Sequence, residues 1–229
     1  MTSTAATTGT AALRVKLTAV GHGDSVILHW KPVLESPATI LIDGGPKAGA
    51  TAIATALRDL QATKIDLAVL SHCDADHVDG LVEYASSADR LPIERLWGPC
   101  VRAFRRHDWL FPPRIARGLE MTDRLEELLK RETTISYPVE GAQWSSPDGD
   151  LVVRVLSPAG RLAHLIHRIA GIRGRAWYKR LESHRDWLST PLSMSGQNLP
   201  WPPPTTIRFY GSLCQVSAAR KSPPHSTAA

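Results

Sequence analysis

Two apolar runs, ATILIDGG (38–45) and KIDLAVLSH (64–72), constrain this chain more than any other feature. Neither alternates polar with apolar, so each suits a strand covered on both faces, in a layered domain. Between them KAGATAIATALRDLQ (47–61) reads as a helix, with Ile53, Leu57 and Leu60 at helical spacing among alanines. Upstream, LRVKLTAV (13–20) and SVILHW (25–30) flank the turn GHGD and read as a hairpin. Downstream, VDGLVEYASS starts a helix at Val78, and IERLWGPC (93–100) reads as a strand. RIARGLEMTDRLEELLKRE (114–132) is a helix with Met121, Leu125 and Leu128 on one face; TTISYPVEG and DLVVRVLSP close the pattern. Strands and helices alternate up to Pro158, which predicts a layered α/β or α+β domain.

Directly past the second apolar run stands SHCDADHVDG (71–80), with two histidines and three aspartates. Open α/β sheets place ligands at this end of their strands. His72, Asp74, Asp76 and His77 spell His-x-Asp-x-Asp-His, a mixture of imidazole and carboxylate that suits Zn²⁺, and also Mn²⁺ or Fe²⁺. Residues 72 and 74 point the same way if the chain stays extended, while Asp76 and His77 come one turn later and can face a second ion. Two ions about 3.5–4 Å apart can activate a hydroxide and stabilise the charge that develops on the attacked group. The competing reading is a solvated acidic turn, with His72 capping the strand and Asp79-Gly80 as turn chemistry. Cys73 lies within the motif; with Cys100 and Cys214 it makes an odd, sparse set that is no disulfide framework.

SHCDADHVDG closely resembles the signature of the metallo-β-lactamase fold superfamily, whose usual form is His-x-His-x-Asp-His. Asp74 in place of the second histidine resembles one subgroup, the hydrolase domain of the DNA-uptake protein ComEC and its stand-alone soluble relatives. VGHGDSVIL (20–28) looks like that subgroup's opening hairpin, and ILIDGGP (40–46) like its third strand. The resemblance spans residues 13 to about 158 and implies an α+β fold, an αββα sandwich with metals at one edge. It places His72 and Asp74 on a first metal and Asp76 and His77 on a second, with Asp76 also orienting the nucleophilic water. It makes Asp43 a support behind the ligands and sets Asp24 and His22 near the mouth; His22, where the subgroup has Gln, alternatively only shapes the hairpin.

The family completes its site with later residues: a histidine, a bridging aspartate, and a final histidine. In residues 81–160 the one histidine is His107, in the unlike context RRHDW, and the Gly149-Asp150 pair precedes a strand instead of following one. His164 and His167, at i and i+3, read more readily as one side of an amphipathic helix than as ligands. The fold is therefore expected to be incomplete in its C-terminal half, through divergence or through a changed reading frame near residue 160. Residues 1–12 read as a disordered tail without signal-peptide character, 13–160 as the metallo-β-lactamase-like domain, and 161–229 as a basic, Pro-rich region. That last region carries ten Lys/Arg against two acids, +8, leaving −3 for the rest of a chain of net charge +5. No run approaches the roughly 18 apolar residues of a membrane span, and cytoplasm is the expected compartment.

These readings give a metal-dependent hydrolase of phosphodiester or nucleic-acid-related substrates. Arg102, Arg105 and Arg106 with Phe104 and Trp109 would form a substrate loop, guanidinium on phosphate and ring on base, or else a plain basic surface loop. The alternatives are an inactive remnant acting as a binding module and a protein that binds nucleic acid through its basic tail. A half-sandwich would leave an apolar sheet face, which a homodimer or the tail could cover.

Overall fold

The computed structural model describes residues 11–101 and 111–157, with the strands Thr206–Tyr210 and Gln215–Arg220. The expected hairpin is β1 (Ala12–Leu17) paired antiparallel with β2 (Val26–Lys31), Leu13 opposite Trp30. The first apolar run gives β3 (Ala38–Ile42), antiparallel to β2; the second gives the shorter β4 (Leu67–Val69), parallel to β3. β5 (Arg95–Trp97) and β6 (Thr134–Ser136) extend the sheet in parallel, so its six strands stand in sequence order. Among the described residues each parallel step is bridged by a helix: α1 (Gly49–Asp59), α2 (Ala75–Ser86) and α3 (Pro113–Leu129). A parallel step needs such a crossover, because the chain must return to its starting edge.

The apolar runs lack alternation because this sheet is buried on both faces. Ile27 and Leu41 point into a core with Ile53 and Leu57 of α1, Val78 and Leu81 of α2, and Leu125 and Leu129 of α3. Their strand neighbours Leu28, Ile40 and Ile42 point the other way, against Leu151, Val153 and Val155 of β8 (Leu151–Ser157). One residue of slip would exchange the two faces, so the two cores fix the register. β8 belongs to a second sheet with β7 (Gln143–Ser145), β9 (Thr206–Tyr210) and β10 (Gln215–Arg220), in the order β7-β8-β10-β9. The layers are thus helices, six-stranded sheet and four-stranded sheet, an α+β architecture. Among the described residues the outer helical layer of the expected αββα sandwich is not found. Two details depart from the sequence reading. The basic C-terminal region, read as lacking a sustained period, supplies β9 and β10. Helix α2 begins at Ala75, three residues earlier than expected.

Among the described residues no helix is long and apolar enough to cross a membrane.

Candidate metal centre

The site forms where β3 and β4 end side by side. Asp43 leaves β3 with φ of 55°, a left-handed conformation that aspartate tolerates better than most residues. Its backbone N–H still reaches across to the Val69 carbonyl at 2.8 Å, so the turn stays tied to β4. Asp43 is 3% exposed, and its carboxylate accepts three hydrogen bonds: from the Ser71 N–H to Oδ1 (2.7 Å), the Ser71 hydroxyl to Oδ2 (2.6 Å) and His77 Nδ1 to Oδ2 (3.0 Å).

Helix α2 carries the second half of the motif inward. Asp74 is its N-cap residue, and its carbonyl takes the His77 and Val78 N–H groups. Aspartate at this position usually turns its side chain onto the helix N–H groups. Here it makes no such bond, and its carboxylate accepts instead from the Arg114 guanidinium at 2.8 Å. Asp76 therefore lies in the first helical turn, where the helix dipole favours an anion. The helix docks on the turn after β3 through Gly80, whose added Cβ would stand 1.9 Å from the Gly44 carbonyl oxygen. Gly23 meets Asp76 equally closely, which brings the exposed His22 and Asp24 to the same end of α2.

The two imidazoles lie together, ring centroids 3.9 Å apart, and both are buried. In each, Nδ1 is held by a hydrogen bond and Nε2 faces an aspartate of the motif. For His72, Nδ1 is 2.8 Å from the Ser71 hydroxyl and Nε2 is 4.0 Å from Asp74 Oδ2. For His77, Nδ1 meets Asp43 and Nε2 is 4.0 Å from Asp76 Oδ2. This burial sets the two histidines apart from a solvated surface turn. Burial and the neighbouring His77 push His72 below the usual histidine pKa. Burial acts downward on His77 too, but the Asp43 hydrogen bond, with the charges of Asp43, Asp76 and Asp24, carries it above that value. Burial and the Asp74 charge push the Cys73 thiol up to about 11, so without a metal it is uncharged at neutral pH.

Ligand atoms of Asp43, His72 and His77 lie within 4.8 Å of one another, a grouping that could hold a cation. Asp43 nonetheless has both oxygens engaged, and it faces Nδ1 of His77, leaving Nε2 toward Asp76. The donor chemistry therefore fits a cation better on the Nε2 side, between imidazole and Asp74 or Asp76. Two N/O ligands about 2.1 Å from a tetrahedral ion stand roughly 3.4 Å apart. Both imidazole–aspartate pairs, at 4.0 Å, are about half an ångström wider, within reach of small side-chain rotations. Arg102, Phe104, Arg105, Arg106 and Trp109, with His107, His164 and His167, lie outside the described residues. The sequence gives Ser71 one signal, a hydroxyl between an apolar strand and the first histidine.

No family model matches the chain, and no curated protein does. Among solved structures it is similar to a metallo-β-lactamase with a HARLDQ motif from Cronobacter sakazakii, 19% identical, over 60% of this chain and 48% of that one, with TM-score 0.36. The metallo-β-lactamase fold protein YhfI from Bacillus subtilis is 13% identical over 62% of this chain and 52% of its own, with TM-score 0.33. Unliganded yeast PDE1 is 12% identical over 63% of this chain and 56% of its own, with TM-score 0.36. The chain spans about half the length of each of these structures.

Proposed function

We propose that this chain is a metal-dependent hydrolase of the metallo-β-lactamase type, acting on phosphodiester or nucleic-acid-related substrates. One observation carries the reading: two buried imidazoles, each anchored through Nδ1, present Nε2 toward Asp74 and Asp76. His72 and Asp74 would hold a first divalent ion and Asp76 and His77 a second; Zn²⁺ suits the donors, and Mn²⁺ or Fe²⁺ also fit. Bound there, the metal would supply an activated water and stabilise developing negative charge. Asp76, at 39% side-chain exposure, is the residue open enough to orient that water and take its proton. Arg114, beside Asp74 and mostly exposed, offers a guanidinium to an anionic substrate, and Arg105, Arg106 and Trp109 would add to that role. Asp74 in place of a second histidine supports the ComEC-like subgroup and hence the phosphodiester substrate.

A second reading, a binding module without catalysis, is favoured by the ligand inventory: among the described residues the cluster contains two imidazoles, and the later ligands that the resemblance implies are not among them. Metal analysis and one substitution separate the two. The hydrolase reading expects metal to co-purify with the chain and Asp76→Ala to lower phosphodiester hydrolysis by about 10²-fold or more. Purified protein with substoichiometric metal and no hydrolysis would leave the module.

A further inference from the structure

The hydrogen-bond inventory around Asp43 leaves little freedom for the protons. An ionised carboxylate only accepts, and a serine hydroxyl has one hydrogen to give. The short contact from Ser71 Oγ to Asp43 Oδ2, 2.6 Å, uses that hydrogen. The 2.8 Å contact between the same Oγ and His72 Nδ1 must then run the other way, with Nδ1–H donating to the hydroxyl oxygen. His77 donates its own Nδ1–H to the other side of Asp43 Oδ2. One carboxylate thus fixes two imidazoles, His77 directly and His72 through one hydroxyl. Ser71, Asp43, His72 and His77 are all buried, so water does not readily substitute for a missing partner.

We infer that Ser71 is a positioning residue: its hydroxyl relays the Asp43 charge to His72 and holds that ring as the Nδ1–H tautomer, leaving Nε2 as a lone pair beside Asp74. The inference deepens the metal reading of the same site and rests on it for its use, although the proton arrangement belongs to the metal-free chain. Without the hydroxyl, His72 Nδ1 loses its acceptor while His77 keeps Asp43. The two histidines therefore respond differently to one substitution, which a general loosening of the fold would not produce.

Histidine tautomers are read directly by ¹⁵N–¹H correlation spectra of the metal-free protein. In the wild type both rings should be Nδ1–H. In Ser71→Ala, His72 should become a mixture that includes Nε2–H, with His77 unchanged, and Zn²⁺ affinity should fall about 10–100-fold. Ser71→Thr keeps a hydroxyl and should restore the His72 tautomer. Ser71→Cys, nearly isosteric with a weak acceptor, should also give the mixed state and serves if the alanine variant does not fold. A His72 that stays fully Nδ1–H in both the alanine and the cysteine variants overturns the relay. A wild-type chain with both tautomers fixed that binds no Zn²⁺ would leave the relay standing and remove the metal reading. Tight Zn²⁺ binding by a chain whose His72 stays Nδ1–H in both variants would do the reverse.

Discussion

His77 sits between two carboxylates, and that position decides its pH behaviour. Its folded pKa lies above 6.5, because Asp43 and the nearby acids outweigh its burial. In the metal-free chain this contributes stability that is full below 6.5 and lost as pH rises through the raised value. His72, pushed down by burial and by His77, behaves oppositely: its contribution is full above 6.5 and lost as pH falls through its lowered value. On the proposed reading a metal on Nε2 would displace the proton there, so protonated His77 would compete with it. Metal affinity should therefore begin to fall above pH 6.5, earlier than an ordinary histidine would dictate. Titrations with Zn²⁺ at stepped pH check this, and an affinity that stays flat down to pH 6.5 contradicts it. The types and spacing of His72, Asp74, Asp76 and His77 marked them in the sequence as candidate ligands. Ser71 was not so marked, because a serine is common at such positions and its meaning depends on Asp43, 28 positions upstream.

Among the elements, α2 shows how local rules yield to packing. Val78 looked like a helix start because the apolar pattern begins there, but the Asp74 carbonyl already collects the His77 and Val78 N–H groups. The chemistry-bearing side chains hide the first turn, since polar residues there serve the site and not the apolar stripe. Gly80 looked like turn chemistry for a related reason; it lies inside the helix, where its bare Cα meets the Gly44 carbonyl. In an ordinary helix, glycine to alanine gains about 0.5–1 kcal/mol. At Gly80 the new methyl would stand 1.9 Å from a backbone oxygen, so α2 or the turn after β3 must move. Overpacking of this kind costs about 1–3 kcal/mol, and backbone yields less easily than a side chain. Gly80→Ala should accordingly destabilise by about 1–2 kcal/mol, read from the urea midpoint. A gain in stability would show that the turn is softer than its hydrogen bonds suggest.

At the scale of the molecule, the two sheets share an apolar core and, among the described residues, a polar tie. Trp30, 1% exposed, fills the space between them, and its indole N–H donates to Asp148 Oδ2 at 2.6 Å. That links β2 to the turn between β7 and β8. Trp30→Phe keeps an aromatic ring but removes the donor from a carboxylate. A loss of about 2–3 kcal/mol is expected by chemical denaturation, since hydrogen bonds to charged groups are the more valuable kind. The first sheet was legible because two-sided burial writes unbroken apolar runs. The second was only partly so: Gln143, Trp144 and Ser145 of β7 make too short a stretch for a period to show.

Sheet order also says something about time. In the first sheet every strand pairs with its neighbours in sequence, so no loop longer than one crossover must close. In the second, β10 lies between β8 and β9, and β8 waits for residues near the end of the chain. Asp43, Ser71, His72 and His77 all belong to the early part. During synthesis, at about 5–20 residues per second, the two imidazoles and the two residues that anchor them emerge several seconds before β10 exists. The site can therefore be assembled on a nascent sheet whose other face is still uncovered, and binding an ion at that stage would hold the first layer together while the second arrives.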